Sequence, residues 1–381
     1  MRRPKMLSTN MSFYELPSGQ DVEKAGRLIT HKIVETPTKT SKLLSEYASS
    51  NLPEPPNDVP LRPSIELYFK CENFQCTGSF KFRGAIHFLA KLEDHELSKG
   101  VVAYSTGNHA QAVARAAQLA SEERNIPVPA YVVVPENCSS KKIDAAKKYG
   151  AKVLISGTSP EARVLLASKV QKSTGATLVP PADHLNIALG QATLVGEFLR
   201  QVTDMGHSPL DAVIVPSGGG GLLVGAAAVC KPQGVAVFGA EPEKGGAGLA
   251  EGLRKGARNV GMGQGPTIAD GLRSLTGEAN WELIKCRENV DLVFTATESQ
   301  IREALRLAID TFGFIIEPSA AVPLAVALFN TTFHQRIAKE RRLVRVGVVF
   351  TGCNISEEEL LTVLPGVSIV GVQNLERESS L

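Results

Sequence analysis

Short apolar runs alternate with helical stretches along most of this chain, and that alternation limits the folds open to it. From residue 101 onward, runs rich in β-branched residues lead through a glycine or polar turn into a stretch with helical periodicity. Strands that alternate with helices in this way pair in parallel, and the helices cover the faces of the sheet. The sequence therefore predicts an α/β fold with mostly parallel sheets flanked by helices.

The individual elements follow from the same periodicity. Strands are predicted at residues 101–104, 130–134, 151–155, 177–179, 212–215, 235–240, 292–295 and 344–350. Helices are predicted at residues 110–120, 141–149, 161–173, 189–202, 301–311 and 320–329. In the last helix Pro323 has to lie in the first turn, because an interior proline removes a helical hydrogen bond. The proline-rich residues 51–63 are interpreted as a surface loop.

The length of 381 residues exceeds the usual size of a single hydrophobic core, so we expect two lobes. Consecutive strand and helix units between residues 101 and 179 can form a small domain of their own. Residues 1–100 and 180–381 then form a large domain. Ligands of such proteins bind in the cleft between lobes, which is where we expect the functional site.

The charge balance argues against one class of partner. There are 41 basic and 39 acidic side chains, so the formal net charge is only +2 and no nucleic acid is expected to bind. The densest basic run, between residues 336 and 345, is interrupted by Glu340 and precedes an apolar strand. We interpret it as a solvated helix end.

Cysteine usage and hydropathy indicate the cellular environment. The six cysteines are scattered, without the paired spacing of a zinc site or the density of a disulfide scaffold. This favours a reducing, cytoplasmic compartment. No apolar run is long enough to span a bilayer, and residues 1–15 lack the apolar core of a signal peptide. We therefore expect a soluble protein without a membrane partner.

A lysine between two aromatic residues is the first candidate site. Residues 77–85 read Thr-Gly-Ser-Phe-Lys-Phe-Arg-Gly-Ala, which places Lys81 in a segment rich in small residues. A lysine that forms a Schiff base must be neutral, near a carbonyl carbon and partly desolvated. On its own Lys81 is more typical of a surface charge, because lysines are seldom buried. Its candidacy depends on the other segments.

A glycine run after an apolar strand is the second candidate site. Its members are Gly218, Gly219, Gly220 and Gly221. Glycines let backbone N–H groups converge on an anion, and the following helix N-terminus adds positive potential, so the run predicts a phosphate site. A merely flexible turn is the alternative. The run is neither a Walker loop nor a dinucleotide-binding turn, because the required lysine and third glycine are absent.

A polar segment between a strand and a helix is the third candidate site. Residues 105–111 read Ser-Thr-Gly-Asn-His-Ala-Gln. The hydroxyls of Ser105 and Thr106 and the N–H groups of a helix start suit a carboxylate, and Asn108 can donate to an oxygen anion. The same residues could form only a helix cap, and His109 alone is weak support.

The fourth candidate site follows the last strongly apolar strand. Residues 350–354 read Phe-Thr-Gly-Cys-Asn, at a strand end where loops of α/β sheets meet ligands. A buried hydroxyl of Thr351 can hydrogen-bond a neutral ring nitrogen, whereas a carboxylate would favour the protonated ring. An ordinary strand-to-helix turn is the alternative.

Together the four segments resemble the fold-type II pyridoxal-phosphate enzymes, and in particular their serine/threonine dehydratase and serine racemase branch. Supporting stretches are residues 70–75, 190–193, 267–273 and 317–320, and the resemblance extends from about residue 25 to residue 355. It implies the two-lobed architecture of that family. Residues 1–100 and 180–381 would be the cofactor-binding domain, residues 101–179 the small domain, and a homodimer the assembly.

The resemblance also implies roles for the candidate residues. Lys81 would carry pyridoxal 5'-phosphate as a Schiff base and then act as the base at the substrate α-carbon, with Phe80 beside the ring. Asn108 would meet the phenolic oxygen of the ring and Thr351 its pyridine nitrogen, while the glycine run would bind the phosphate. The residues implied for the substrate carboxylate are Ser105, Thr106 and His109.

Three positions depart from the family's pattern. Thr106 stands where racemases of the family have a serine that serves the face opposite the lysine. Its hydroxyl could still transfer a proton there as a catalytic group, but its methyl group restricts the rotamer and narrows the pocket, which disfavours racemisation. After Glu241 the acids of the family's divalent-cation site are replaced by residues 245–247, Gly-Gly-Ala, so only Glu241 is left as a side-chain ligand and no metal is expected. Cys353 replaces a glycine and would crowd the cofactor.

The activity predicted is that of an ammonia-lyase: β-elimination from a small hydroxy amino acid such as threonine, serine or 3-hydroxyaspartate, giving a keto acid and ammonia. An amino-acid racemase or a β-replacement enzyme on the same scaffold is the first alternative. A catalytically silent pyridoxal-phosphate-binding protein is the second, and Lys81 argues against it because a binder does not need that lysine. No regulatory domain is expected after residue 355.

Overall fold

The computed structural model describes residues 15–54, 63–105, 107–136, 138, 140–261 and 265–367. The strands are β1 (Thr38–Thr40), β2 (Ser64–Cys71), β3 (Val101–Tyr104), β4 (Ala130–Pro135), β5 (Lys152–Ser156), β6 (Thr177–Leu178), β7 (Ala212–Pro216), β8 (Ala236–Pro242), β9 (Leu292–Ala296) and β10 (Leu343–Phe350). The helices are α1 (Gly19–Ile29), α2 (Lys42–Ser50), α3 (Lys81–Ala90), α4 (Asp94–Leu97), α5 (Asn108–Arg124), α6 (Ser140–Lys147), α7 (Pro160–Thr174), α8 (Leu185–Asp204), α9 (Gly221–Cys230), α10 (Leu249–Lys255), α11 (Glu278–Ile284), α12 (Glu298–Phe312), α13 (Pro318–Phe329), α14 (Thr331–Ala338) and α15 (Glu357–Val363).

The strands form two sheets. The larger sheet has the order β1-β2-β10-β7-β8-β9, and its pairs are parallel except for β1 with β2. The smaller sheet has the order β5-β4-β3-β6 and is parallel throughout. The predicted α/β class with mostly parallel sheets and flanking helices is confirmed.

Helices cover both faces of the larger sheet. Ile214 and Val348 belong to the core beneath α13, whereas their neighbours Val213 and Val349 belong to the core beneath α8 and α9. Successive strand residues point to opposite faces, so a strand covered on both sides is apolar at nearly every position. This explains why β7 and β10 are continuous apolar runs in the sequence.

The predicted position of Pro323 is wrong. Helix α13 begins at Pro318, so Pro323 lies in its interior. Pro318 occupies the first turn, where a missing N–H is tolerated, but Pro323 removes the bond to the carbonyl of Ser319. Residues 318–328 are all buried, and this packing stabilises the helix against the local cost.

Two further predictions concern loops and membranes. Of the predicted surface loop at residues 51–63, residues 55–62 lie outside the part of the chain that the structure describes. Among the described residues, no helix combines the length and the apolar character needed to cross a bilayer.

A close helix crossing sets the position of the first candidate site. Helix α3, whose first residue is Lys81, packs on α8 through two glycines. A Cβ atom on Gly190 would lie 2.4 Å from the backbone oxygen of Arg83, and one on Gly84 would lie 2.4 Å from Nε2 of Gln191. Only glycine allows the two backbones to approach this closely. The crossing therefore fixes where α3 begins relative to the larger sheet.

Candidate active site

The amine of Lys81 lies where α3 begins. Its Nζ donates a hydrogen bond to the carbonyl oxygen of Pro181 at 2.7 Å and lies 5.2 Å from the ring centroid of Phe80. Burial lowers the pKa of Lys81 to about 8. A buried lysine with a lowered pKa releases its proton more readily than a surface lysine, as a nucleophilic or basic lysine must.

His109 is bound to the same backbone segment as Lys81. Its Nε2 lies 2.9 Å from the carbonyl oxygen of Val179, which can only accept, so Nε2 carries the hydrogen. Burial and the neighbouring charge of Lys81 lower the pKa of His109 to about 3. His109 is therefore neutral at physiological pH and offers no positive charge to a carboxylate.

The glycine run lies against this segment too. A Cβ atom on Gly219 would lie 2.5 Å from Cβ of Ala182, and one on Gly221 would lie 2.8 Å from the backbone oxygen of Ala182. Gly220 has a φ of +91°, which a residue with a side chain rarely adopts. The run connects β7 to the N-terminus of α9, so its backbone N–H groups and the helix dipole are next to the segment that binds Lys81.

The loop after β10 is hydrogen-bonded to the residues before Lys81. The N–H of Phe80 donates to the carbonyl oxygen of Thr351 at 3.0 Å, and the N–H of Cys353 donates to that of Gly78 at 2.9 Å. The thiol of Cys353 donates to the carbonyl oxygen of Asn73 at 3.3 Å. Thr351 is therefore placed beside the start of α3, and the side chain of Cys353 is directed to the turn that follows β2.

Asn108, the first residue of α5, is bound by two residues from other elements. Its Nδ2 lies 3.0 Å from both carboxylate oxygens of Glu317, and its Oδ1 accepts from Nδ2 of Asn354 at 2.6 Å. Ser105 accepts from the N–H of Gly107 through its hydroxyl at 3.4 Å. Thr106 lies outside the described residues. The structure thus brings the third and fourth candidate sites into contact.

Glu241, the residue considered as a metal ligand, binds backbone instead. Its two carboxylate oxygens accept from the N–H groups of Leu249 and Ala250 at 2.9 and 2.7 Å, at the start of α10. Burial raises the pKa of Glu241, although these hydrogen bonds oppose the shift. In the described ranges, no group of three or more histidine, cysteine, aspartate or glutamate side chains is arranged to hold a metal ion.

Sequence reasoning missed two charged residues of the site region. Arg83 is fully buried, pairs with Glu72 through two 2.8 Å contacts, and also contacts Glu197 at 3.0 Å. Glu317 is 6 % exposed and binds Asn108. The available signal was a charge within an apolar or small-residue segment, because such a charge must find a buried partner.

Comparisons with known proteins decide which family shares this arrangement. The family described as pyridoxal-phosphate dependent enzymes matches residues 57–352. This chain belongs to that family. The L-threo-3-hydroxyaspartate ammonia-lyase of Saccharomyces cerevisiae is 34% identical over 356 residues, covering 92% of this chain and 97% of that protein. The resemblance found in the sequence is confirmed.

Solved structures of the family agree. The serine racemase of Dictyostelium discoideum superposes with a TM-score of 0.75 at 35% identity, covering 89% of this chain and 99% of that one. The threonine deaminase of T.th. superposes with a TM-score of 0.74 at 34% identity, again covering 89% and 99%. This pyridoxal-phosphate-dependent enzyme is therefore similar both to ammonia-lyases and to a racemase.

The residues present fit the family's cofactor. Besides the amine of Lys81 and the glycine run, three buried hydroxyls have no hydrogen-bond partner within the described part of the chain; they belong to Thr77, Ser79 and Ser217. Buried polar groups are nearly always hydrogen-bonded in native proteins, so these hydroxyls indicate a polar ligand. Thr77 and Ser79 precede Lys81 and Ser217 precedes the glycines, the two segments that an amine-bound ring with a phosphate requires.

Proposed function

We propose that this chain catalyses the pyridoxal-phosphate-dependent β-elimination of a small hydroxy amino acid, such as threonine or serine, to a keto acid and ammonia. The observation that carries the proposal is the amine of Lys81, bound to Pro181 next to a glycine run and given a pKa of about 8 by burial. The relative from Saccharomyces cerevisiae is an ammonia-lyase, and this supports elimination over other reactions.

Each candidate residue has a role in this proposal. Lys81 carries the cofactor and Phe80 packs beside its ring. Asn108 donates to the phenolic oxygen of the ring and the hydroxyl of Thr351 meets its pyridine nitrogen. The phosphate is bound by Gly218, Gly219, Gly220 and Gly221. The substrate carboxylate lies against Ser105, Thr106 and His109.

When bound, pyridoxal phosphate withdraws electrons from the substrate α-carbon and stabilises the charge that develops there. The chain supplies the proton transfer. Lys81 would hold the cofactor, and its Nζ would then accept the α-proton; burial lowers the pKa of this amine, which increases the neutral fraction able to do so. The β-hydroxyl leaves as water, and hydrolysis of the resulting enamine returns that water, so the net products are a keto acid and ammonia.

His109 contributes through position rather than charge. Because it is neutral and donates to Val179, it cannot pair ionically with a substrate carboxylate. In the proposal it holds the segment that accepts from Lys81, while N–H groups at the start of α5 bind the carboxylate. Thr351 supplies a hydroxyl rather than a carboxylate to the ring nitrogen, which favours the neutral ring.

An amino-acid racemase is the second candidate, because the serine racemase of Dictyostelium discoideum is 35% identical to this chain over 347 residues. Racemisation needs a proton donor on the face opposite Lys81, and Thr106 is the residue considered for it. If the threonine methyl group misplaces that hydroxyl, Thr106→Ser should increase racemisation. An unchanged rate would rule out this account of Thr106.

The test is to incubate the purified protein with pyridoxal phosphate and a panel of L- and D-hydroxy amino acids. Keto acid, ammonia and enantiomer ratio are followed together. Keto acid with equal ammonia from one substrate is expected; a changed enantiomer ratio without keto acid would instead identify a racemase.

The role of Lys81 is tested by substitution. Lys81→Ala should abolish turnover, whereas the matched control Lys91→Ala, at an exposed position just after α3, should retain turnover. Full activity of Lys81→Ala would overturn the mechanism.

We further propose how the chain divides into domains, how it assembles and where it is located in the cell. The division into a cofactor-binding domain (1–100 and 180–381) and a small domain (101–179) is supported by the smaller sheet, whose strands all fall between residues 101 and 178. A homodimer and a cytoplasmic location are proposed on the sequence arguments alone. We propose no divalent cation, because Glu241 binds the start of α10 through both oxygens.

A further inference from the structure

The side-chain amide of Asn354 can adopt only one orientation. Its Nδ2 lies 2.7 Å from the carbonyl oxygen of Thr77 and 2.6 Å from Oδ1 of Asn108. A backbone carbonyl only accepts, so the atom that faces Thr77 must be the NH₂ nitrogen rather than the oxygen. One of its hydrogens goes to Thr77 and the other to Asn108. This assigns the acceptor end of the Asn108 amide, which must face Asn354.

Glu317 fixes the other end of the same amide. Nδ2 of Asn108 lies 3.0 Å from both Oε1 and Oε2 of Glu317, which act as acceptors. Oε1 also accepts from the N–H of Asn354 at 2.7 Å. The orientation of the Asn108 amide is therefore fixed at both ends, by a hydrogen-bond donor facing its oxygen and by acceptors facing its nitrogen. A reversed amide would face oxygen with oxygen and NH₂ with NH₂.

The carboxylate of Glu317 is itself held in place. Its backbone N–H donates to the carbonyl oxygen of Gly352 at 2.8 Å, and it precedes the first residue of α13. A Cβ atom on Gly352 would lie 2.8 Å from Oε1, so the carboxylate is packed against the backbone of the loop after β10. Glu317 follows α12 and Asn354 follows β10, and both elements pack in the core on one face of the larger sheet, whereas α5 packs on the smaller sheet. The cluster thus connects the two.

We propose that Glu317 and Asn354 are positioning residues that hold Asn108 so that it presents an N–H, and not its carbonyl oxygen, to the cofactor ring. One hydrogen of Asn108 Nδ2 goes to Glu317 and the second is left for the phenolic oxygen. The inference rests on the proposed function, since it requires Asn108 to face that oxygen. It adds two residues that act through Asn108 rather than on the ring.

Asn354→Asp is the sharpest test, because it keeps the side-chain shape and replaces the NH₂ by an oxygen. That oxygen would face two acceptors, Thr77 O and Asn108 Oδ1, and would destabilise the productive orientation of Asn108. We expect the dissociation constant for pyridoxal phosphate to rise about tenfold or more, as for loss of a hydrogen bond to a charged group. The absorbance of the bound cofactor should titrate at a higher pH, because its phenolic oxygen loses a donor that stabilises the anion.

Three further variants separate positioning from folding. Asn354→Ala removes both donors without adding an oxygen and should weaken cofactor binding in the same direction by less. Glu317→Gln keeps an acceptor at Oε1 but places an NH₂ at the position of Oε2, 3.0 Å from Nδ2 of Asn108, so it should weaken binding by about threefold or more. The matched control is Asn330→Asp. Asn330 caps the start of α14, and its substitution removes an NH₂ that donates to the carbonyl oxygen of Thr295 in β9. This variant should leave cofactor affinity and absorbance unchanged.

The outcomes are distinguishable from those that test the proposed function. If the wild type eliminates its substrate but Asn354→Asp and Asn354→Ala bind and titrate like the wild type, the positioning role is overturned alone. An equal loss of affinity in Asn330→Asp also overturns it, since the effect is then one of general stability. If the wild type itself neither binds pyridoxal phosphate nor turns over any substrate, the proposed function fails first.

Discussion

Arg83 lies two residues after Lys81, and its guanidinium is fully buried. Burial opposes its charge, but the carboxylates of Glu72 and Glu197 outweigh that effect and raise the pKa of Arg83. Lys70 extends the cluster through contacts of 2.5 Å to Glu197 and 2.9 Å to Gln201. Two cations and two anions balance, so the cluster is neutral, and it connects β2, α3 and α8 around the start of α3.

Removal of Arg83 should be costly because it leaves the buried carboxylate of Glu72 without its cationic partner and takes one of two cations from the partly buried Glu197. We expect Arg83→Met to lower the free energy of unfolding by about 3–5 kcal/mol, as for a broken buried ion pair. The matched control is Arg306→Met, which breaks a half-exposed 3.7 Å ion pair with Glu303 on α12. It should change the free energy of unfolding by about 0.5 kcal/mol or less. Urea unfolding of both variants measures the difference, and equal costs would contradict a structural role for the buried cluster.

At the scale of elements, the strands and the longer helices after residue 101 could be predicted from periodic segments between glycine or polar turns. The short helices α10, α11, α14 and α15, of seven or eight residues each, were not predicted. The boundaries moved by a few residues; for example, the helix predicted at 189–202 is α8, Leu185–Asp204. The prediction failed at Pro323, where burial of α13 overrides a local rule. Strands β1 and β2 were not predicted. Strand β1 is only three residues long, and the apolar run of β2 is interrupted by Glu66 and by the buried Lys70.

The crossing of α3 and α8 depends on Gly190, and one substitution tests it. In Gly190→Ala the new Cβ would lie 2.4 Å from the backbone oxygen of Arg83 and 2.7 Å from Cα of Gly84, so the helices must separate. We expect a loss of about 1–3 kcal/mol in the free energy of unfolding, as for overpacking, together with weaker cofactor binding because α3 carries Lys81.

The same helix provides the control for that substitution. Gly196 also lies in α8, but a Cβ atom there would meet nothing within 4 Å. Gly196→Ala should stabilise the protein by up to about 1 kcal/mol, because alanine favours a helix over glycine. Thermal or urea unfolding of the pair measures both signs. If both variants shift stability in the same direction, the close approach of α3 and α8 does not limit position 190.

At the scale of the whole molecule, the site is formed by loops that follow the carboxyl ends of strands in both sheets. Lys81, the glycine run and Asn108 could be proposed as site residues from the sequence because each lies in a short motif with its own chemistry. The contact of Glu317 with Asn108 could not be predicted, because it spans 209 residues and only the assembled sheets bring the two together. A charge in an apolar segment signals that a buried partner is needed, but not which residue that partner is.

Whole-molecule stability should fall in mild acid, and His87 makes that dependence measurable. His87 is 2% exposed in α3, its Nδ1–H donates to the carbonyl oxygen of Asn186 at 2.6 Å, and burial lowers its pKa to about 4 from an ordinary value of 6.5. Between these two pH values the unfolded chain binds a proton that the folded chain excludes, so the free energy of unfolding falls as the pH falls.

His87→Asn keeps an N–H donor near Asn186 and removes the proton-binding site. Near pH 8 the variant should be less stable than the wild type by a constant amount, because its side chain is smaller. Between pH 6.5 and 4 the slope of its free energy of unfolding against pH should be smaller than that of the wild type by about 1.4 kcal/mol per pH unit. Urea unfolding of the cofactor-free protein at several pH values measures the two slopes, and the region above about pH 7 serves as the internal reference because His87 is neutral there in both states. The pKa of His109 is also lowered, to about 3, because that side chain is buried as well. The unfolded chain therefore still binds a proton there that the folded chain excludes, so some acid dependence must persist in the variant. Parallel curves for wild type and variant down to about pH 4 would mean that water reaches His87 in the folded state, and that the interface between α3 and α8 is less closely packed than the two glycines indicate.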